Sequence, residues 1–381
     1  MALPQLENHI VLVSAQPLPT LLGVSLPGSE PSRIHAIVTP PMRNAVRLLR
    51  KALAARGRQC ELTEYPLENM ASQEAMYAVL DAIRSECAGS SMGLNLTGGT
   101  KLMALAASEW AYANDLPAFY IDTEGEQIVS IGRSWSYASL PDVLTVRGLL
   151  AAHGFELESG NSNPVPAARR AVLSRMLEVA CTPAGAKALG HLNRLAELAR
   201  GALYACDDAG APGAWADLLA LCAEAGTAHA SKGNIVFANE EGRHWCNGLW
   251  FEEYVKMTLY HLKGSQRVKD FVSSARVRAA GVLNELDAMF TARNRLFAIE
   301  CKTSAMCGVN AAQNDHVSSY LYKLDSLRDR LGGSFARAML GSVRPLAAKD
   351  IERARNMNVS VLCGRDLLSL GDKLVSWSNE A

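Results

Sequence analysis

Short apolar runs and amphipathic stretches alternate along the first 150 residues. His9–Ala15 (HIVLVSA), Ile34–Thr39 (IHAIVT), Cys60–Leu62, Met92–Leu96 and Ala118–Ile121 read as strands. Between them, Asn44–Arg56 sets Val46, Leu49 and Leu53 on one helical stripe and is stopped by Gly57. Ser72–Cys87 reads as a helix, and another runs from Lys101 to about Asn114. Strand and helix in turn predict a parallel, Rossmann-like α/β domain over residues 1–150.

The rhythm then changes. Ser159–Pro166 (SGNSNPVP) has linker composition. Ala168–Tyr204 predicts two helices broken near Thr182-Pro183, and Trp215–Ala225 a third, stopped by Gly226. Ile235–Phe237 with Glu240-Glu241-Gly242 suggests one arm of a small hairpin. Helices followed by a hairpin predict a small winged-helix-like segment over 151–245. Few arginines or lysines lie on its final helix, which favours a rigid spacer over a DNA-binding element. Residues 246–381 resume an α/β pattern. Asn247 is the expected N-cap of a helix carrying Glu252, Val255, Leu259 and Leu262 on its apolar stripe. Glu253 then pairs with Lys256 toward solvent. A helix over Gln313–Leu331, strands at Met339–Val343 and Val359–Leu362, and a last helix at Arg365–Ser376 complete the domain.

Within it, Leu283–Thr303 (LNELDAMFTARNRLFAIECKT) predicts a β-hairpin turning at Arg293-Asn294. Side chains alternate, so Leu296, Ala298, Glu300 and Lys302 share one face and Phe297, Ile299 and Cys301 the other. The hairpin can lay Asp287 beside Glu300. Two carboxylates and an ammonium on an apolar sheet are costly unless they bind something, and a divalent metal is the natural partner. Lys323, Arg328 and Arg330 on the following helix are candidates for a phosphate groove.

Composition narrows the classes. Net charge is zero over 381 residues, with 49% apolar and 20% charged, so any nucleic-acid contact is a local patch. Nine cysteines without regular spacing exclude a disulfide framework and favour a reducing cytoplasm. No signal peptide and no run of about 20 apolar residues is present, so no membrane is expected.

The turn Thr97-Gly98-Gly99-Thr100-Lys101 sits where a strand passes into a helix. Glycine permits close backbone approach, and a helix N-terminus attracts anions. It is neither GxxxxGK[ST] nor GxGxxG. In a parallel sheet the loops Ser14–Thr20 and Thr39–Met42 open at the same edge.

VLVSAQPLPT, IVTPPM and LNLTGGTKLMALA resemble the CARF family, sensors of cyclic oligoadenylates in type III CRISPR defence. The resemblance implies a dimer with one pocket across its twofold axis. It makes Gln16, Pro17, Thr20, Thr39, Met42, Thr97, Gly98, Gly99, Thr100 and Lys101 candidate ligand contacts. Asp287 with Glu300-x-Lys302 resembles the PD-(D/E)xK nuclease superfamily, although Leu286 stands where its proline would be. GLWFEEYV, NELDAMF, IECKT and LYKLDSLRDRLGG together resemble CRISPR ancillary nucleases joining both domains. That likeness implies Glu252, Asp287 and Glu300 as ligands of Mg2+ or Mn2+, the Cys301 carbonyl as a further one, and Lys302 as the group orienting water. The implied protein is a homodimeric nuclease acting on DNA or RNA under a cyclic tetra-adenylate (or hexa-adenylate) activator. The rival expectation is a ligand-responsive transcription regulator using the middle segment.

Overall fold

The structure, a computed structural model, describes residues 5–28, 31–57, 60–68, 72–207, 213–303 and 315–380. The chain forms two compact units, Met1–Leu157 and Glu158–Ala381.

The first unit contains β1 (Asn8–Leu12), α1 (Leu18–Gly23), β2 (Arg33–Val38), α2 (Arg43–Ala55), β3 (Glu61–Pro66) and α3 (Gln73–Glu86). There follow β4 (Met92–Asn95), α4 (Lys101–Ala113), β5 (Ala118–Asp122), β6 (Gln127–Ile131), β7 (Ser136–Ser139) and α5 (Val146–Ala152). The strand order is β3-β2-β1-β4-β5-β6-β7. Pairs from β3 to β5 are parallel, as the alternation predicts, and β6 and β7 add an antiparallel edge. Every residue of β1 and β4 is buried, as expected for strands covered on both faces. The order reverses between β1 and β4, and the loops after β1, β2 and β4 share that sheet edge.

The second unit continues with β8 (Glu156–Asn161), α6 (Ala167–Ala180), α7 (Pro183–Leu198), β9 (Tyr204–Cys206), α8 (Trp215–Glu224), β10 (Ala228–Ser231), β11 (Asn234–Phe237) and α9 (Glu240–His244). A π-helical turn, Trp245–Leu249, leads into α10 (Trp250–Gly264). Then come β12 (Asp270–Ala279), β13 (Val282–Ala292), β14 (Arg295–Lys302), α11 (Asp315–Leu331), β15 (Ala336–Ser342), α12 (Ala348–Asn356), β16 (Val359–Cys363) and α13 (Leu370–Asn379). Six strands form a sheet in the order β16-β15-β14-β13-β12-β8, and β10-β11-β9 form a small one. β12, β13 and β14 are antiparallel, whereas β14, β15 and β16 are parallel.

The segment expected as a spacer is not a separate body. Leu173, Leu177, Leu192, Leu218 and Ile235 join Trp250, Phe251, Val255, Phe290 and Phe297 in one continuous core. Its helices pack on one another and on the small sheet, and α6 packs on α10, through which this core runs on to the six-stranded sheet. On the opposite face of that sheet, Val317, Leu321 and Leu324 of α11 cover Ala338 and Leu340.

Three expectations near Asn247 are corrected. Helical winding starts earlier, where the side chain of Asn239 accepts from Gly242 N and caps α9. Asn247 lies inside the π turn, whose Gly248 has φ 131°. Glu240-Glu241-Gly242 therefore opens a helix and is no hairpin arm. Glu253 is not a solvated partner of Lys256: it accepts from Trp245 Nε1 at 2.7 Å and from Arg169 Nη1 at 3.1 Å. Its side chain is 13% exposed. The reason is that α10 packs against α6 on one flank and β12 and β13 on another, so a single-stripe projection fails. Near the C-terminus, Gly364–Ser369 winds as a 3-10 turn before α13, so the last helix begins later than expected.

Glu253→Ala would leave the Trp245 indole and the Arg169 guanidinium without this partner. We expect a loss of about 2–3 kcal/mol in urea unfolding, with Glu253→Gln losing less because its amide oxygen still accepts from Trp245.

Candidate active site and ligand-binding edge

A two-residue turn fixes the β13–β14 hairpin. Arg293 and Asn294 have φ of 52° and 59°, the left-handed pair that matches strand twist in a tight hairpin. The register that follows, Ala292↔Arg295 through Ala288↔Ile299, brings Asp287 across from Glu300. The sheet opens there. On the β12 side, pairing flanks Asp287 at Ser273↔Ala288 and Ala275↔Leu286, and the intervening Ser274 has φ 48°. On the β14 side, the main-chain N–H of Cys301 donates to Asp287 Oδ2 at 2.6 Å. Backbone strain of this kind concentrates at functional sites.

Lys302 stands between the two carboxylates. Its Nζ lies 2.7 Å from Glu300 Oε1 and 3.8 Å from Asp287 Oδ2. It also sits 4.6 Å above the centroid of the Tyr320 ring. Glu300 is 3% exposed. Lys323 reaches its other oxygen, Oε2, at 3.4 Å. Glu252, in the first turn of α10, faces the same charges. Burial first, and then the negative charge of Asp287, push its pKa up to about 8. Burial and then Glu300 push Asp287 up to about 6. Burial works to lower the Lys302 pKa, but Asp287 and Glu300 outweigh it and the net shift is upward. The Cys301 thiol points into the apolar core on the far face, so only its main chain serves the site.

Thus Glu252, Asp287, Glu300 and Lys302 form one electrostatic cluster. Among the described residues, no three acidic, histidine or cysteine groups already converge into a metal cage. The ammonium of Lys302 takes the place of a cation between Asp287 and Glu300. Carboxylates that raise one another's pKa are a donor set that a hard divalent ion would stabilise, so the residues fit such an ion. A cleft of about 780 Å³ beside them is lined by Asn193, His244, Asn247, Glu252, Lys302 and Thr303. Asn193 comes from α7 of the supposed spacer, and its amide donates to Thr303 Oγ1 at 3.3 Å. Sequence reasoning had no signal for that residue, because no local pattern reports a wall built from a distant helix. Of the three groove cations, Arg328 is structural: it donates to the carbonyls of Met357 and Asn358 and pairs with Asp325.

In the first unit, the three predicted loops do meet at one sheet edge. Gly98 and Gly99 are needed for geometry: a Cβ on Gly98 would lie 1.8 Å from the Leu12 carbonyl oxygen, and Gly99 has φ 71°. Thr97 Oγ1 bonds Asn95 Oδ1 at 2.6 Å and accepts from Ile121 N at 2.8 Å, tying β4 to β5. Thr100 caps α4 by accepting from Met103 N. Pro17, Thr20 and Thr39 are buried, whereas Gln16 and Lys101 are exposed and Met42 is half-buried.

Comparisons with known proteins agree with this arrangement. Residues 8–147 match the Card1 CARF domain family, and residues 239–381 match the Card1-like endonuclease domain family. Can2 from Sulfobacillus thermosulfidooxidans, solved in complex with cyclic tetra-adenylate, is 27% identical with a TM-score of 0.77, over 98% of this chain and 99% of that one. Protein VC1899 from Vibrio cholerae is 25% identical with a TM-score of 0.82, over 98% of both chains. A type III CRISPR defence DNA nuclease activated by cyclic oligoadenylate shares the fold at 19% identity and a TM-score of 0.55, over 98% of this chain and 52% of that one. No curated protein sequence matches. The chain therefore carries a Card1 CARF domain at residues 8–147 followed by a Card1-like endonuclease domain at residues 239–381.

Proposed function

We propose that this endonuclease is metal-dependent and is switched on by a cyclic oligoadenylate, the four-membered ring, in type III CRISPR antiviral defence. The carrying observation is the Glu252–Asp287–Glu300–Lys302 cluster in an endonuclease domain joined to a CARF domain. Can2, 27% identical, was solved with cyclic tetra-adenylate, which supports that ring size here.

Glu252, Asp287 and Glu300 would hold Mg2+ or Mn2+, with the Cys301 carbonyl as a further oxygen donor. Bound there, the ion supplies Lewis acidity at the phosphodiester and lowers the pKa of water. Lys302 orients the attacking water and balances the charge that develops on phosphate oxygens. Its upward-shifted pKa keeps it charged at neutral pH. The Cys301 N–H holds Asp287 in position, and burial of Glu300 keeps bulk water from screening the site.

In the first unit, Gln16, Lys101 and the amides of TGGTK would receive the ring phosphates and bases. Thr97, Gly98, Gly99, Thr100, Pro17, Thr20, Thr39 and Met42 shape that edge. A homodimer with a shared pocket is supported by the apolar shoulder of α4 directly after the loop, where Leu102 is 58% and Leu105 67% exposed. A reducing cytoplasm is supported by eight described cysteines, all free thiols. No described helix is long and apolar enough to cross a membrane.

Glu300→Ala and Lys302→Ala should each reduce cleavage of labelled DNA and RNA by roughly 10²-fold or more, with ligand binding intact. Normal cutting by Lys302→Ala with manganese and activator contradicts its role. Lys101→Ala should raise the activator concentration needed for half-maximal cleavage, whereas unchanged activation would reduce TGGTK to a turn.

The raised carboxyl pKa values give a pH signature. The folded protein holds protons on Glu252 and Asp287 that the unfolded chain has released. Stability of the metal-free protein is therefore greatest below the ordinary carboxyl range of about 4. It falls as pH rises through about 6 and then about 8. Urea unfolding in EDTA should show this decline, and Glu252→Gln should flatten its upper part. An unchanged profile in that variant would contradict the assignment.

A further inference from the structure

Glu300 is contacted by two ammonium groups, and they are not equivalent. Lys302 is committed: it bridges Glu300 and Asp287, lies against the Tyr320 ring, and its side chain is 18% exposed. Lys323 approaches the opposite oxygen of Glu300 and is 39% exposed. It also donates to the main-chain carbonyl of Glu285 at 3.2 Å. Both contacts come from one shoulder of α11. Val317, Leu321 and Leu324 seat the helix on the sheet. Tyr320 and Lys323, three residues apart, then fall beside Lys302 and Glu300.

The two contacts have different consequences when substrate arrives. A divalent ion held by the carboxylates would compete with both amines for Glu300. Lys302 keeps Asp287 and the aromatic ring. Lys323 has a flexible four-carbon stem, a long contact and an open side, so it is the amine that can leave Glu300. The strand being cut brings an anion to that place, its phosphate. Lysine suits this as a mobile point charge.

We propose that Lys323 is a phosphate-binding residue of the active site. Its ammonium covers Glu300 in the free protein and passes to a non-bridging oxygen of the phosphate at or beside the scissile bond. This rests on the nuclease reading above and adds a second cation to it.

The test is the salt dependence of binding, with the full-length protein saturated in cyclic tetra-adenylate and a constant excess of Ca2+ present, a divalent ion for the carboxylates that supports cleavage poorly. Anisotropy of a fluorescein-labelled single strand is measured across a series of NaCl concentrations. Each lost phosphate contact lowers the slope of log K against log salt by about 0.7 for a single strand. Lys323→Ala and Lys323→Gln should each show that decrease, Lys323→Arg should retain the parent slope, and Lys373→Ala on the exposed side of α13 should change nothing. A melting curve of each variant separates misfolding from lost contact, and Lys323→Gln, which keeps the stem, carries the result if Lys323→Ala fails to fold. Unchanged slopes in both neutral variants overturn the proposal, while the wild type's cleavage on adding manganese leaves the nuclease reading standing. A wild type that cuts no strand with manganese overturns both.

Discussion

The second unit depends on a pairing register. Because side chains alternate along a strand, a slip of one residue would turn Glu300 and Lys302 into the core face and present Cys301 instead. Arg293 and Asn294 prevent that slip by closing the hairpin in the left-handed conformation. The opposing strand then lays Asp287 beside Glu300, and like charges meet on an otherwise apolar sheet. Lys302 pairs with both carboxylates and compensates them. The same crowding raises the pKa of Glu252 and Asp287, and it is the feature on which the proposed divalent-ion site rests.

Support for this cluster comes from far along the chain. α10 presents Glu252 to the site with its first turn and uses the neighbouring Glu253 to anchor Trp245 and Arg169. Of two adjacent glutamates, one thus faces the charged cluster and the other anchors the core. The π turn before α10 lets Gly248 pass close to Thr303, where a Cβ would lie 2.8 Å from the threonine hydroxyl. Asn193 of α7 completes the wall, and α6 to α8 share the core of the second unit. The sensing unit uses glycine in a related way: Gly98 lets the loop after β4 approach β1 at the point where the strand order reverses.

Much of this was readable from residue order. The βαβ alternation specified the parallel strands, and LDAMFTARNRLFAIECK specified the hairpin because apolar periodicity and turn residues agreed. Other features were not local. β12 escaped because its inward positions include the polar Ser273 and the small Ala275, although Ser274 and Arg276 alternate with buried residues and pairing with β13 stabilises the strand. β6 and β7 are short and carry serines and glutamine that read as loop. Glu253 and Lys256 looked solvated because a helical projection assumes one covered face, whereas α10 has two. The separation of Lys323 from Arg328 needed the placement of α11 against the sheet and of the 357–358 turn against Arg328.

The most direct measurement of the central claim is calorimetric titration of Mn2+ into the protein at pH 7 in buffers of different ionisation enthalpy. If Glu252, Asp287 and Glu300 form one coupled site, Glu252 is mostly protonated at that pH. Cation binding should then release about one proton per ion, and Glu252→Gln should abolish the release. Binding without proton release, or no binding by the wild type, would contradict the account.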